Sequence, residues 1–239
     1  MKDRYLRQLI MEGFSQKGQD QLAGSCVAIV GLGGLGCPAS LYLAAAGVGK
    51  LVLIDDQRIE GSNLNRQVLH FQEDAQLSRY KVESARMKLN ALNPDIELEA
   101  LPIRLEEDNP YILENADVVL DCLDNPKGRY ILNRHCLMSK TPLVHGAVED
   151  MGGHVLTIMP GGPCLRCAFP KMAERRGPVP VLGAAAGMIG SVQAMETVKI
   201  ITGIGERTEG RALFFDMKNG LMDEVLFARD PSCPDCSSL

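Results

Sequence analysis

The sequence predicts an α/β fold in which a mostly parallel sheet carries helices on both faces and is extended by antiparallel strands and a C-terminal hairpin. Three observations support this prediction. Short apolar runs alternate with helical patterns through the first half of the chain, as is typical of strands buried on both faces. A glycine-rich turn joins the first apolar run to the helix that follows it. Later, glycine and proline separate short strand-like runs, and Asn219-Gly220 is a strong hairpin signal.

The N-terminal half predicts a helical arm followed by alternating strands and helices. Two amphipathic helical pieces fall within residues 1–24, and the apolar run Cys26–Val30 predicts the first strand. A helix over Pro38–Ala46 and a strand over Leu51–Ile54 complete a β-α-β unit, which indicates a Rossmann-like parallel sheet. The next predicted elements are a helix over Tyr80–Leu92, strands over Ile96–Ile103 and Asp117–Asp121, and a helix over Lys127–Ser139.

From Leu143 onward the pattern predicts antiparallel strands rather than further β-α-β units. Lys171–Pro180 is basic and is predicted to be an exposed loop, and Leu182–Thr202 is predicted to be a long helix of small residues. Ala212–Met217 and Leu221–Phe227 form the predicted hairpin. We predict a single domain over residues 1–239, with an arm over 1–24, a core over 25–142 and an extension over 143–239.

The composition is that of a globular protein and disfavours several functional classes. Hydrophobic residues make up 46% and charged residues 23% of the 239 residues, which excludes a disordered or fibrous chain. The net charge is −5 without a long block of like charges, so we expect no nucleic-acid and no membrane partner. The charged start, Met1-Lys2-Asp3-Arg4, and the lack of a long apolar run predict a cytoplasmic protein.

The glycine-rich turn is the first candidate binding site. Its glycines allow backbone N–H groups to approach a phosphate at the start of a helix; they are Gly31, Gly33, Gly34 and Gly36. Asp55 follows at close to the spacing of about 20 residues that is typical of a ribose-binding acid. This context favours a nucleotide site over a turn that needs glycine only for packing.

The charged residues that follow bear on which nucleotide binds. A helix N-terminus contributes only about 0.3–2 kcal/mol, so a triphosphate normally needs cationic side chains and a divalent cation as well. The chain offers Asn63 and Arg66 soon after the second strand, then Lys81, then Asp124 after a later strand. Each residue alone is more often a surface charge or a turn former. A nicotinamide- or flavin-dependent oxidoreductase stays open as an alternative, although it leaves these residues unexplained.

Motifs along nearly the whole chain follow one recognisable order. They are Arg4-Tyr-Leu-Arg-Gln8, Gly31-Leu-Gly-Gly-Leu-Gly36, Asp55, Asn63-Leu-Asn-Arg-Gln67, Lys81-Val-Glu-Ser-Ala-Arg86, Asn93-Pro94, Asp121-Cys-Leu-Asp-Asn125 and Gly190-Ser-Val-Gln-Ala-Met-Glu196. This order resembles the ThiF/MoeB/HesA family of ubiquitin-activating-enzyme-like adenylyltransferases. The resemblance implies that the C-terminal glycine carboxylate of a small ubiquitin-like (β-grasp) sulfur carrier, ending in Gly-Gly, attacks the α-phosphate of ATP. The products would be an acyl-adenylate and pyrophosphate, for thiamin, molybdopterin or related biosynthesis.

The resemblance also implies a role for each site residue. Asp55 would hold the ribose, Asn63, Arg66 and Lys81 would contact the phosphates, and Asp124 would bind magnesium. Arg7 would reach the phosphates from a neighbouring subunit, which requires a homodimer. The residues suit adenylation, because that reaction needs in-line positioning and cations that neutralise the leaving pyrophosphate. A non-catalytic scaffold that binds a ubiquitin-like partner is a further alternative, which the presence of every expected cation disfavours.

Two C-x-x-C pairs are the second strong signal. Cys164 and Cys167 form one pair, and Cys233 and Cys236 form the other. Paired motifs of this kind predict a closed, structural zinc site with four thiolates, which here would tie a loop to the chain terminus. Four unligated thiols and a redox-active pair are the alternatives.

The other cysteines and the four histidines give no catalytic pattern. Cys26, Cys37, Cys122 and Cys136 are predicted to be packed thiols, and each histidine to have a satisfied structural role. Several members of the resembled family carry a cysteine in the loop before the long helix, but Ala173–Val181 contains none here. We therefore expect the reaction to stop at the adenylate and a separate persulfide donor to complete sulfur transfer. A basic loop at Lys171–Arg176 would suit an acidic carrier.

Overall fold

The computed structural model describes residues 4–173, 177 and 179–237. Its described strands are β1 (Cys26–Val30), β2 (Lys50–Ile54), β3 (Glu97–Leu101), β4 (Val118–Asp121), β5 (Leu143–Glu149), β6 (Gly152–Ile158), β7 (Arg211–Asp216) and β8 (Leu221–Leu226). They form one sheet in the order β3-β2-β1-β4-β5-β6-β7-β8. The pairs from β3 to β5 are parallel and the pairs from β5 to β8 are antiparallel. The predicted fold class is confirmed.

The helices also follow the sequence pattern closely. They are α1 (Leu6–Leu9), α2 (Ser15–Ala23), α3 (Gly36–Ala46), α4 (Gln72–Gln76), α5 (Lys81–Leu92), α6 (Pro126–Ser139), α7 (Leu165–Ala168) and α8 (Gly183–Thr202), with 3-10 turns at Gly61–Asn63 and Pro110–Leu113. The short helices α4 and α7 were not predicted, because one turn of helix leaves little periodicity in a sequence. Strand β3 is shorter than predicted because its register pairs it only with β2, which ends at Ile54.

Successive residues of β1 pack on opposite faces of the sheet, so both faces are covered. Val27 and Ile29 belong to a core cluster with residues of α3, α5 and α8. Ala28 and Val30 belong to a second cluster that includes residues of α6 and α7. This alternation follows from the two-residue period of a strand, and it explains why β1 reads as a continuous apolar run.

The order of the strands creates one crevice at the carboxyl edge of the sheet. From β1 the chain moves outward through β2 to β3, and β4 then pairs with the other side of β1. The sheet therefore reverses its winding between β1 and β4, which is where open α/β sheets bind ligands. The glycine-rich turn, Asp55 and the turn that holds Asp124 directly follow β1, β2 and β4 respectively.

One sequence prediction, the exposed basic loop at Lys171–Pro180, lies partly outside this description. The basic loop includes residues 174–176 and 178, which the structure does not describe. In the described part of the chain, no helix combines the length and apolar character needed to cross a bilayer.

Candidate nucleotide and metal sites

The glycine-rich turn packs tightly against the turn that follows β4. Gly31 has a φ of 97°, and a Cβ there would lie 2.6 Å from the carbonyl oxygen of Cys122. A Cβ on Gly36, the first residue of α3, would lie 1.9 Å from the Gly31 carbonyl oxygen. A side chain at Gly31 would force the two turns apart, and one at Gly36 would distort the glycine-rich turn itself. The predicted phosphate loop and the predicted magnesium turn are therefore immediate neighbours.

Asp55 fixes the glycine-rich turn to the end of β2. Its Oδ2 accepts a hydrogen bond of 2.8 Å from the Leu32 N–H, and its Oδ1 accepts one of 2.8 Å from the Gln57 N–H. Burial raises the pKa of the Asp55 carboxyl, while the positive charge of Lys81 opposes that shift. Each carboxylate oxygen retains a second lone pair, so these bonds leave acceptor capacity for a ribose hydroxyl.

Lys81 is a buried cation that forms no direct ion pair with the described residues, although the Asp55 carboxylate is near enough to interact with its charge. Lys81 is the first residue of α5 and is 4% exposed. Its Nζ donates a hydrogen bond of 2.6 Å to the amide oxygen Oε1 of Gln57. In the part of the chain that the structure describes, no carboxylate oxygen lies within ion-pair distance of this ammonium group. Burying a charge without a direct ion pair is costly, so a bound anion would stabilise the site.

The segment around Arg66 supplies further polar groups to the same edge. Arg66 Nη1 donates to the Ser62 carbonyl and to Asn65 Oδ1, both at 3.0 Å, so this guanidinium also has neutral acceptors. A Cβ on Gly34 would lie 3.6 Å from Arg66 Cγ, which places Arg66 against the glycine-rich turn. Asn63 Oδ1 accepts the Glu60 N–H at 3.1 Å and shapes the 3-10 turn.

Gln67 is a polar group in this site that the sequence analysis did not single out. Its residue is 3% exposed, and its Oε1 has no hydrogen-bond partner among the described residues. A Cβ on Gly33 would lie 3.5 Å from Gln67 Nε2. In the sequence, only its position directly after Arg66 in the motif Asn63-Leu-Asn-Arg-Gln67 indicated that Gln67 belongs to the site. An unpaired buried amide beside a glycine loop indicates that a ligand completes the site.

Asp124 lies in a turn that a buried network holds in place. The Asp121 carboxylate accepts the Leu123 N–H at 3.1 Å through Oδ1, and its Oδ2 lies 2.6 Å from His145 Nδ1. His145 Nε2 in turn lies 3.3 Å from His154 Nε2. Asp124 itself is exposed, and its Oδ1 accepts only a 3.4 Å hydrogen bond from Asn125. An exposed carboxylate at this edge has the oxygen ligands that magnesium prefers.

Arg7 is the predicted site residue that the structure places elsewhere. Gln8, beside it on α1, donates to the Ala46 carbonyl at 3.1 Å, which lies at the C-terminal end of α3. Helix α3 runs from Gly36 to Ala46, so its ends are about 15 Å apart. Arg7 is exposed near the end of α3 that is remote from the glycine-rich turn. Within one chain it is not part of the nucleotide site.

The four cysteines of the C-x-x-C pairs converge as predicted. The Cys164 sulfur lies 3.8 Å from the Cys167 sulfur and 3.6 Å from the Cys233 sulfur. The sulfurs of Cys167 and Cys236 are 3.5 Å apart. All four sulfurs lie within 4.8 Å of one another. Zinc–sulfur bonds of about 2.3 Å in a tetrahedron would place sulfurs about 3.8 Å apart. The sulfur–sulfur distances are longer than the S–S bond of a disulfide, which is about 2.05 Å. They match the spacing expected around a tetrahedral metal ion.

A polar network joins the cysteine cluster to α6. Asn133 accepts the Leu165 N–H at 3.0 Å through Oδ1, and its Nδ2 donates to Asp235 Oδ2 at 3.0 Å. Asp235 also forms an ion pair of 2.9 Å with Arg166. Leu165 and Arg166 lie within one C-x-x-C pair and Asp235 lies within the other. Asn133 therefore connects both halves of the cluster to the nucleotide-binding core.

Of the other cysteines, Cys37, Cys122 and Cys136 are packed thiols, as predicted, whereas Cys26 is partly exposed. Cys37 is fully buried, and burial raises its pKa to about 12, although it lies at the start of a helix. Burial also raises the pKa values of Cys122 and Cys136. Each of the four histidines has a hydrogen-bond partner, as expected for structural roles, but the buried Nδ1 of His135 has none among the described residues.

Comparison with known proteins identifies the family. A model of the ThiF family matches residues 5–235. The chain belongs to the ThiF family. The SAMP-activating enzyme E1 of Haloferax volcanii is 42% identical over 241 residues, which cover 98% of this chain and 88% of that protein. The adenylyltransferase and sulfurtransferase MOCS3 of Drosophila yakuba is 44% identical over 243 residues, which cover 98% of this chain and 53% of MOCS3.

The chain thus spans about half the length of the MOCS3 relatives it matches. Among solved structures, E. coli MccB with MccA-N7isoASN has a TM-score of 0.89 at 21% identity, over 99% of this chain and 74% of MccB. At that identity the likeness supports the fold alone. The family resemblance inferred from the order of the motifs is confirmed.

Proposed function

We propose that this ThiF-family protein is an ATP-dependent adenylyltransferase that activates the C-terminal glycine carboxylate of a small ubiquitin-like sulfur carrier. The observation that carries the proposal is the buried Lys81 ammonium, whose direct hydrogen-bond partner among the described residues is a neutral amide. A triphosphate would place negative charge against this ammonium group. Family membership and relatives named as activating and adenylyltransferase enzymes support this interpretation over the oxidoreductase alternative.

The proposed site residues have two roles in adenylation: some orient the nucleotide, and others neutralise phosphate charge. The Gly33 and Gly34 amides lie where they can receive phosphate oxygens, and Asp55 holds the ribose. Lys81, Arg66 and Asn63 bind the phosphates and hold the α-phosphate in line for the carrier carboxylate. The positive charges of Lys81 and Arg66 would stabilise the leaving pyrophosphate as the P–O bond breaks. Magnesium, held by Asp124, would neutralise further phosphate charge.

We also propose that the cysteine cluster holds a structural zinc ion. Four thiolates close the coordination sphere and leave no position for a substrate, which is the pattern of structural rather than catalytic zinc sites. The ion would join α7 and the C-terminal segment to α6 through the Asn133 network.

The positions of the cysteines support an end point at the adenylate. Four lie in the cluster, and Cys37, Cys122 and Cys136 are buried. Cys26 is partly exposed, but it begins β1 and therefore lies at the edge of the sheet opposite the glycine-rich turn. Burial also raises the pKa of its thiol, which lowers its nucleophilicity. A separate persulfide donor would then intercept the adenylate.

We expect the Cys26→Ser variant to adenylate carrier at the wild-type rate, and we expect neither protein to form a covalent bond with the carrier. Non-reducing electrophoresis and intact mass spectrometry after incubation with carrier and ATP–magnesium would measure this. The Cys122→Ser variant provides a buried-thiol control. A thioester or disulfide with the carrier, mapped to one cysteine of this chain, would contradict the proposed end point.

A homodimer would supply Arg7 to the site. Tyr42 on α3 and Met195 on α8 are 60% and 58% exposed, and α3 packs against α8, so each of these adjoining helices exposes a large side chain. We propose that a second copy covers these side chains and delivers its own Arg7 to the phosphates. The distance of Arg7 from the site within one chain supports a contribution in trans.

Mixing two inactive variants tests this arrangement. Arg7→Ala and Lys81→Met should each lose activity, but an equimolar mixture of exchanged subunits should recover about a quarter of the wild-type activity. Half of the dimers would be mixed, and one of the two sites in each mixed dimer would have both native residues. A mixture with no recovery after verified subunit exchange would contradict a contribution in trans.

The direct test of the proposed function is pyrophosphate exchange into ATP. Purified protein, magnesium and each of several β-grasp carriers ending in Gly-Gly would be compared with the same carriers lacking the final glycine. Exchange only with an intact carrier is the expected result. ATP binding without exchange for any carrier would favour the scaffold alternative, and tight NADH binding without ATP binding would favour an oxidoreductase.

A further inference from the structure

His70 lies where three elements with proposed ATP contacts meet. Its Nε2 is 3.0 Å from the Leu32 carbonyl oxygen in the glycine-rich turn, and its Nδ1 is 3.0 Å from Ser84 Oγ on α5. Its backbone N–H donates to the Gln67 carbonyl at 3.0 Å, in the segment that carries Arg66. Ser84 lies one helical turn after Lys81. The side chain of His70 therefore connects the glycine-rich turn to α5, and its backbone connects both to the Arg66 segment.

The hydrogen bonds define the state of the imidazole. A carbonyl oxygen can only accept, so Nε2 carries a proton and donates it to Leu32, and Nδ1 of the neutral ring is an acceptor. The single hydroxyl proton of Ser84 is shared between this Nδ1 and Asp74 Oδ2, which lies 3.0 Å from Ser84 Oγ. Burial lowers the pKa of His70 to about 4, which keeps the ring neutral at physiological pH. Lys88 donates to Ser84 Oγ at 2.7 Å and contacts the buried Asp74 carboxylate, which also pairs with Arg79 at 2.9 Å.

The Leu32 carbonyl matters because it shares a planar peptide with the Gly33 N–H. The structure contains no cis peptide among its described residues, so this N–H points away from the carbonyl that His70 holds. Asp55 holds the Leu32 N–H at 2.8 Å, which fixes the residue from its other side. No acceptor lies within hydrogen-bond distance of the Gly33 N–H in the described part of the chain. This amide is therefore held in a fixed direction and is free to bind a ligand.

We propose that His70 is a positioning residue for ATP, which aims the Gly33 N–H at a phosphate and keeps the glycine-rich turn in register with Arg66 and Lys81. This inference rests on the proposed function, because it assigns His70 to the same nucleotide site. His70 touches neither substrate nor reacting atoms; it acts through the Leu32–Gly33 peptide.

Three substitutions separate the hydrogen bond from simple packing. A glutamine amide can reach the position of the imidazole Nε2, whereas an asparagine amide is too short and leucine has no donor. We expect His70→Gln to bind ATP within about threefold of the wild type, and His70→Asn and His70→Leu to bind about tenfold or more weakly. Calorimetric titration of the full-length protein with ATP and magnesium, without carrier, would measure the dissociation constants.

His135→Asn is the matched control. His135 is also buried, and its Nε2 lies 2.9 Å from the Glu106 carbonyl oxygen, but it lies on α6 away from the glycine-rich turn. We expect this variant to lower the melting temperature without changing ATP affinity. Wild-type ATP affinity in folded His70→Asn and His70→Leu, or equal weakening in His70→Gln, would overturn the proposal.

The outcome is distinguishable from failure of the proposed function. If the wild type binds ATP but supports no exchange with any carrier, adenylation fails while the affinities still test His70. If the wild type does not bind ATP, both proposals are overturned.

Discussion

Lys81→Met is expected to lower carrier-dependent pyrophosphate exchange by about 100- to 1,000-fold, the usual effect of removing one preorganised group that stabilises transition-state charge. The side chain is buried, and its direct hydrogen-bond partner among the described residues is the Gln57 amide rather than a carboxylate, which leaves its charge available to a ligand. Methionine preserves length and removes the charge. Because replacing a buried charge with an apolar group is often neutral or stabilising, we expect an unchanged or higher melting temperature.

Initial exchange rates and thermal unfolding of the same preparations would measure both effects. Lys17→Met is a suitable control, since Lys17 is an exposed residue of α2 and its replacement changes the net charge equally. We expect the control to retain wild-type exchange. A Lys81→Met protein that is less stable and fully active would show that this lysine is structural and remove the central observation from the proposed site.

Cys233→Ser is expected to abolish stoichiometric zinc binding and to lower the melting temperature by about 10 °C. Loss of a structural metal is among the largest effects of a single substitution, and 1 kcal/mol corresponds to about 2–4 °C in a chain of this size. Cys233 is buried and its sulfur lies 3.6 Å from that of Cys164. Serine cannot supply the fourth thiolate.

Metal analysis and calorimetry would check this prediction, with Cys136→Ala as the control. Cys136 is a buried thiol of α6 outside the cluster, so its loss should leave one zinc ion per chain and cost less stability. At a temperature where Cys233→Ser remains folded, ATP affinity should be close to that of the wild type. Equal zinc content in wild type and Cys233→Ser would contradict a four-thiolate site.

Local motifs explain why much of the site could be predicted from the sequence. The glycine-rich turn and Asp55 belong to one β-α-β unit, whose geometry is set by short-range pattern. The four cysteines were recognisable as a metal site because they form two C-x-x-C pairs with the same spacing. Lys81 was also identified, but its burial without a carboxylate partner became visible only in the structure.

Other features depend on pairing across the sheet, which sequence spacing does not encode. The contact between Asp121 and His145 arises because β4 and β5 pair in the register that places these residues side by side. Likewise, His70 reaches Leu32 only after the chain has folded through β2 and the 3-10 turn. The position of Arg7 was not evident either, because it depends on how α1 docks against the end of α3.

The most direct measurement is the intact mass of a β-grasp carrier after brief incubation with this protein, magnesium and ATP labelled at the α-phosphate. We expect the carrier to gain one labelled AMP at its C-terminal glycine, with release of one pyrophosphate. The Lys81→Met variant should give no adenylated carrier. Transfer of the γ-phosphate with formation of ADP, or labelling of a carrier whose terminal carboxylate has been amidated, would contradict it.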